Sequence, residues 1–222
     1  MTASTWRAML VTDFDGTLTY HDFYHIAKQR LLPRNWKNPF VAYQKGELTH
    51  FQAMQRFFEQ INTSEAEILA VLQEVEIEPK LAEWVTRLRS GGWEVMITSA
   101  GCAWYIERIL ASANVDVEVH ASPGRFVPYQ GLFMEEAKHS PYFCPSAGID
   151  KASAVRAALS QGVPVAYAGD GPSDLEAALL VPPALRFARI ELATMLDDLG
   201  EAYQPFTRWG EVAESLSRYP LP

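Results

Sequence analysis

The sequence predicts an α/β protein, a doubly wound parallel sheet with helices on both faces, interrupted by an all-helical insertion. Three observations predict it. From Pro79 onward, short apolar runs alternate with amphipathic stretches of about ten residues, and strands separated by helices of that length pair in parallel. Residues 22–76 carry helical periodicity and no strand signal. The composition, 48% hydrophobic and 21% charged over 222 residues, supplies the apolar side chains that a sheet covered on both faces needs.

The elements follow in chain order. Ala8-Met9-Leu10-Val11 reads as a buried strand and runs into the polar loop Asp13-Phe14-Asp15-Gly16-Thr17-Leu18-Thr19. Phe23, Ile26, Ala27 and Leu31 then give a helical stripe that Pro33 and Asn38-Pro39 interrupt. A second helix starts near Pro39 and stops at Gly46. Thr49 is placed to cap the stripe Phe51, Met54, Phe57-Phe58 and Ile61, and Ser64 opens a helix bearing Ile68, Leu69, Val71 and Leu72. Next come a helix through Leu81, Trp84, Val85 and Leu88, the strand Trp93–Ile97, and Thr98-Ser99-Ala100-Gly101 at its end. A helix over 103–113, with Trp104 and Tyr105 packing on the sheet, leads to a strand over Val115–Val119; residues 121–148 form a hairpin or long loop. A helix with Lys151 near its start precedes the strand Val163–Ala168, the loop Gly169-Asp170-Gly171-Pro172-Ser173-Asp174 and a helix to Leu180. The tail reads as a strand at 185–188, a helix over 191–199, an extended piece at Tyr203-Gln204 and a last helix over 209–219. The expected organisation is a core of residues 1–21 and 77–222, with residues 22–76 inserted as a helical unit.

A net charge of -8 with no cluster of Lys and Arg argues against nucleic-acid or anionic-membrane partners. Cys102 and Cys144, the two cysteines, have neither disulfide-framework nor zinc-ligand spacing. With no signal-peptide pattern and no apolar run of membrane-spanning length, the expected location is the cytoplasm.

Chemistry concentrates at strand ends, where open α/β sheets bind ligands. One strand delivers Asp13 and Asp15, a second Thr98-Ser99, a third Asp170 and Asp174, and a helix start brings Lys151. Four converging carboxylates repel one another unless a cation intervenes, and Mg²⁺ is the hard divalent ion suited to carboxylate oxygens, waters and a substrate phosphate.

In order and placement, Asp13-Phe14-Asp15-Gly16-Thr17, Ser99, Lys151 and Gly169–Asp174 resemble the four motifs of the haloacid dehalogenase superfamily of phosphohydrolases. The resemblance implies a Rossmann-like core with a small β-hairpin excursion and a mechanism through an aspartyl-phosphate. Asp13 is the implied nucleophile and Asp15 the acid and base. The side chains of Asp13 and Asp170 and the main-chain carbonyl of Asp15 are the implied Mg²⁺ ligands. Ser99, or Thr98 if the strand ends one residue earlier, would bind a phosphoryl oxygen with the amide of Ala100. Gly16, Thr17 and Gly101 would support the loops, Asp174 would order Lys151 or a metal-bound water, and Lys151 would neutralise the transferring group. Retention of Asp15 and Asp170 favours phosphate chemistry over dehalogenation.

The insertion lies where members of the phosphoserine-phosphatase type carry a helical cap, which implies a small phosphorylated metabolite as substrate. Within that group Phe143-Cys144-Pro145, Gly148–Lys151, Gly169–Ala178, Phe187-Ala188-Arg189 and Tyr203–Phe206 are similar to the enol-phosphate phosphatases of methionine salvage, which usually carry several cysteines before the lysine where this chain has only Cys144. Phosphoserine phosphatases carry an acidic residue nine positions after the nucleophile to hold the substrate's ammonium group, and Asp22 stands at that position here. It is either that contact, as the resemblance implies, or a helix cap, and Arg56 is either solvated or a carboxylate contact. A phosphotransferase and a non-catalytic binding protein on the same fold are the alternatives.

Overall fold

The computed structural model describes residues 6–222, so the first five residues of the expected 1–21 segment lie outside the described residues. In chain order the elements are β1 (Ala8–Thr12), α1 (Phe23–Arg30), α2 (Phe40–Gln44), α3 (His50–Phe58), α4 (Glu65–Leu72), α5 (Leu81–Ser90), β2 (Trp93–Cys102), α6 (Ala103–Ser112), β3 (Glu118–Ser122), β4 (Gly124–Val127), β5 (Gly131–Met134), β6 (Phe143–Cys144), β7 (Gly148–Ile149), α7 (Lys151–Leu159), β8 (Val165–Gly169), α8 (Leu175–Leu179), β9 (Arg186–Ala188), α9 (Ile190–Leu199), β10 (Gln204–Pro205) and α10 (Trp209–Ser217).

Six strands form one parallel sheet in the order β10-β9-β8-β1-β2-β3. The chain winds outward from β1 in one direction, then returns to its other side at β8. The crevice at the carboxyl ends of β1 and β8 is therefore the topological switch point, the place where sheets of this kind bind ligands. Strand alternation explains the double cover: Ala8 and Leu10 pack with Leu81, Val85 and Trp209 of α5 and α10, while Met9 and Val11 pack with Val155, Ala178 and Leu192 of α7, α8 and α9. No helix among the described residues is long and apolar enough to cross a membrane.

Between Thr19 and Ile77, which form an antiparallel bridge, the described chain is helical and without strands. Two capping boxes, Thr49 with Gln52 and Ser64 with Glu67, start α3 and α4 where the sequence places them. The apolar side chains of these helices and the Phe23 ring of α1 join the same core as the sheet.

Residues 121–148 hold two small antiparallel pairs, β4 with β5 and β6 with β7. The first leans on the helical segment. The Tyr129 amide donates to the Thr63 carbonyl at 2.8 Å, the Gln55 side-chain amide to the Met134 carbonyl at 2.9 Å, and Gly131, at φ +135°, lies against the backbone of Glu59 where a Cβ would overlap it. The second pair is tied to the same segment by the Phe51 amide, which donates to the Ser146 carbonyl at 3.0 Å.

The largest departures from the expected strand boundaries are in β2 and β3, while β8 runs Val165–Gly169 rather than 163–168. β2 continues to Cys102, because Cys102 still pairs with Ser122 of β3 after a register shift beyond Thr98. β3 begins at Glu118 rather than Val115: Asn114 turns left-handed at φ 54° and the Val115 amide donates back to Leu110, so these residues finish α6.

Candidate active site

Asp13 follows β1 directly, and its amide donates to the Ala168 carbonyl of β8 at 2.9 Å. The next residues fold back tightly, with the amides of Thr17, Leu18 and Thr19 all pointing at the Phe14 carbonyl while the Phe14 ring is buried as an anchor. Gly16 sits at the apex at φ +70°, where a Cβ would overlap the Asp170 carboxylate. Its lack of a side chain lets the two loops meet, and the Thr17 hydroxyl then donates to Asp170 Oδ1 at 2.9 Å. Gly16→Ala is expected to cost roughly 1–2 kcal/mol from the left-handed backbone alone and to displace Asp170 as well. Thermal melting together with phosphate release would check both effects.

Lys151 opens α7 behind the Asp150 cap, whose carboxylate accepts the Ser153 amide at 2.9 Å. The lysine is only 4% exposed. Its Nζ lies 2.8 Å from Asp13 Oδ1 and 2.6 Å from Asp174 Oδ1. Asp174 is fully engaged: Oδ1 also accepts the Tyr167 hydroxyl at 2.6 Å, and Oδ2 accepts the amides of Asp170 and Gly171 at 3.0 and 2.9 Å. It therefore ties lysine, loop and strand together and has little left for a metal ion. Tyr167 was not visible as a site residue in the sequence; the only signal is a tyrosine among the small apolar residues of β8.

Electrostatics reflect a shortage of positive charge. Burial alone would lower the Lys151 pKa, but Asp13 and Asp174 outweigh it and raise the value. Burial, with the charges of Asp174 and Asp170, holds the Asp13 carboxyl well above the usual range despite Lys151. Burial and Asp174 push Asp170 up to about 7. One lysine thus faces three carboxylates that each offer one oxygen within 4.8 Å of the others. A hard divalent cation fits this donor set, and Asp13 and Asp170 are the two members with oxygens to spare.

The Asp15 carboxylate stands outside that cluster. Its Oδ1 accepts the Phe23 amide at 3.2 Å and its Oδ2 the Tyr105 hydroxyl at 2.5 Å. Burial and the charge of Asp22 raise its pKa well above the ordinary value. Tyr105 packs among Phe14, Phe23 and Phe58 as well as reaching Asp15, so it does more than pack on the sheet. Ser99 is buried and its hydroxyl accepts the Gly101 amide at 3.0 Å, whereas the Thr98 hydroxyl is buried without a partner among the described residues; Ala100, between Ser99 and Gly101, is half-buried.

Asp22 caps α1, accepting the Tyr24 amide at 2.7 Å, and also lines a cavity of about 710 Å³ with Gly16, His25, Asp170 and Ile190. Both readings of Asp22 are thus geometrically available. Arg56 is exposed on α3 and does not line that cavity, which matches its solvated reading. His50, which the sequence did not single out, opens α3 beside the β6–β7 turn; burial first and the Lys151 charge second lower its pKa.

Comparisons with known proteins bear on the family and the fold. The profile of a family described as haloacid dehalogenase-like hydrolase matches residues 10–179. A protein of Brevibacillus brevis named 2-hydroxy-3-keto-5-methylthiopentenyl-1-phosphate phosphatase is 26% identical over 123 residues, 54% of this chain and 55% of that one, so the match spans about half its length. One of the same name from Bacillus velezensis is 26% identical over 221 residues, 96% of this chain and 91% of its own. Among solved structures, a probable phosphoserine phosphatase from Vibrio cholerae superposes with a TM-score of 0.64 at 18% identity, covering 95% of this chain and 64% of that one.

Proposed function

Since the chain belongs to the haloacid dehalogenase-like hydrolase family, we propose that it is a Mg²⁺-dependent phosphomonoesterase acting on a small phosphorylated metabolite through an aspartyl-phosphate on Asp13. The observation that carries this is the buried Lys151 held between Asp13 and Asp174 at the switch point of the sheet. The lysine aligns the Asp13 carboxylate and presents positive charge where a transferring phosphoryl group would gather negative charge. An Asp13 oxygen attacks phosphorus in line, Asp15 protonates the leaving oxygen, and Asp15 then takes a proton from the water that hydrolyses the acyl phosphate. Mg²⁺, held by the side chains of Asp13 and Asp170 and the main-chain carbonyl of Asp15, would neutralise charge on the phosphoryl oxygens.

The helical residues 22–76 serve in this reading as a cap that limits substrates to small molecules and excludes water. A cytoplasmic location completes it. The test is release of inorganic phosphate from a panel of phosphate esters, including phosphoserine and 2-hydroxy-3-keto-5-methylthiopentenyl-1-phosphate, with Mg²⁺ and with a chelator. Turnover that needs Mg²⁺ and a phosphorylated peptide containing Asp13 are expected. Silence across the panel would favour a non-catalytic binding protein.

The Asp170 carboxyl sets a pH dependence. With a folded-state pKa of about 7, it holds extra protons in the native state, so without metal its contribution to stability grows as pH falls from about 7 toward the ordinary carboxylate range. Mg²⁺ requires the ionised form, so its apparent affinity should weaken below about pH 7, by up to about tenfold per unit. Calorimetric titration with Mg²⁺ at several pH values tests this; an affinity unchanged between about pH 5 and pH 8 would contradict it.

A further inference from the structure

Building on the phosphomonoesterase reading, we propose that Tyr105 is a positioning residue that orients the Asp15 carboxyl for proton delivery to the leaving group. Ring packing does not require its hydroxyl. The aromatic ring is enclosed by Phe14 of the nucleophile loop, Phe23 of α1 and Phe58 of α3, with centroids 6.5, 4.5 and 6.0 Å away, and a phenylalanine would fill the same space. A buried hydroxyl is costly without a partner, and the one it has among the described residues is Asp15 Oδ2 at 2.5 Å.

The surroundings are shaped to the contact. Gly101, near the end of β2, has no left-handed φ; its glycine serves space, since a Cβ there would overlap the Tyr105 hydroxyl and come within 3.0 Å of Asp15 Oδ2. The two Asp15 oxygens are held from different elements, Oδ2 by Tyr105 of α6 and Oδ1 by the Phe23 amide at 3.2 Å. Together the donors fix the plane of the carboxyl. Without the phenol, Asp15 is steered by the longer amide bond alone.

In the first half-reaction an Asp13 oxygen bonds to phosphorus as the ester P–O bond breaks. The electron pair left on the ester oxygen takes the Asp15 proton, and the resulting Asp15 carboxylate accepts the Tyr105 hydroxyl. A weakly basic leaving group departs without that proton, whereas a more basic one needs it.

The experiment compares 4-nitrophenyl phosphate with phenyl phosphate, esters of similar size whose leaving groups differ in basicity, for the wild type and Tyr105→Phe with Mg²⁺. Because kcat/KM reports formation of the phosphoryl enzyme, the variant should stay within about twofold of wild type on the nitrophenyl ester and lose about tenfold or more on the phenyl ester, part of the 10²–10⁴ that general-acid catalysis supplies. Equal losses on both esters, or none on either, would overturn the positioning role while leaving the phosphatase reading intact. A wild-type protein that hydrolyses neither ester and no member of the phosphate-ester panel defeats the phosphatase reading itself, and the Tyr105 assignment falls with it. Where only panel esters turn over, Tyr105→Phe should lose about tenfold or more on an alkyl ester such as phosphoserine, and an unchanged rate there overturns the assignment.

Discussion

Asp13→Asn should abolish turnover, by on the order of 10⁴-fold or more, while the protein stays folded. The amide keeps the shape of the carboxyl and removes its nucleophilic oxygen charge, so the loss belongs to chemistry rather than packing. Stability should move the other way. Asp13 is buried beside Asp174 and Asp170 and its pKa is raised well above the usual value, so ionising it opposes folding in metal-free protein. The neutral variant is expected to melt at the same temperature as metal-free wild type or above it. A melting curve and a phosphate-release assay on one preparation separate the two effects; near-normal turnover by the variant would remove the aspartyl-phosphate mechanism.

Lys151→Met carries the second large effect, on both properties. The methionine fills much the same volume but leaves Asp13 and Asp174 buried side by side without the cation that sits 2.8 and 2.6 Å from them. Breaking a buried ion pair from one side costs about 3–5 kcal/mol, so the variant should melt well below wild type. Pairing it with Asp174→Asn should return part of the stability, because one uncompensated charge is gone, yet leave activity lost, because no cation faces the phosphoryl group. Full activity in either variant would show that Lys151 does not act on the transferring group.

Much of this site was readable in the primary structure, since it is built from short-range rules. A polar loop after a buried strand, an aspartate before a helix start, and capping residues such as Thr49 and Ser64 each act within a few residues of themselves. The sequence does not single out Tyr167 or His50, and it reads Tyr105 only as packing on the sheet. A buried tyrosine has the same sequence signature as an apolar core residue, and for Tyr105 the partner that reveals its polar tip, Asp15, lies 90 residues back along the chain. Arg56 shows the converse limit, because periodicity places it on a helix without saying whether that face meets the crevice. The late start of β3 was hidden because Val115 and Val117 are apolar yet pack beyond the end of α6 rather than in the sheet.

The β4–β5 hairpin gives the helical segment a second attachment, far along the chain from the Thr19–Ile77 bridge. A lid fastened on one side can swing; a lid latched on two sides must unlatch before it lifts. Movement of this segment therefore has either to break the Tyr129, Gln55 and Phe51 hydrogen bonds or to carry both small hairpins along with it. The cavity that reaches Gly16 and Asp170 is lined by Asp22, His25 and Ile190 and by none of the latch residues, so access to those two positions requires no unlatching.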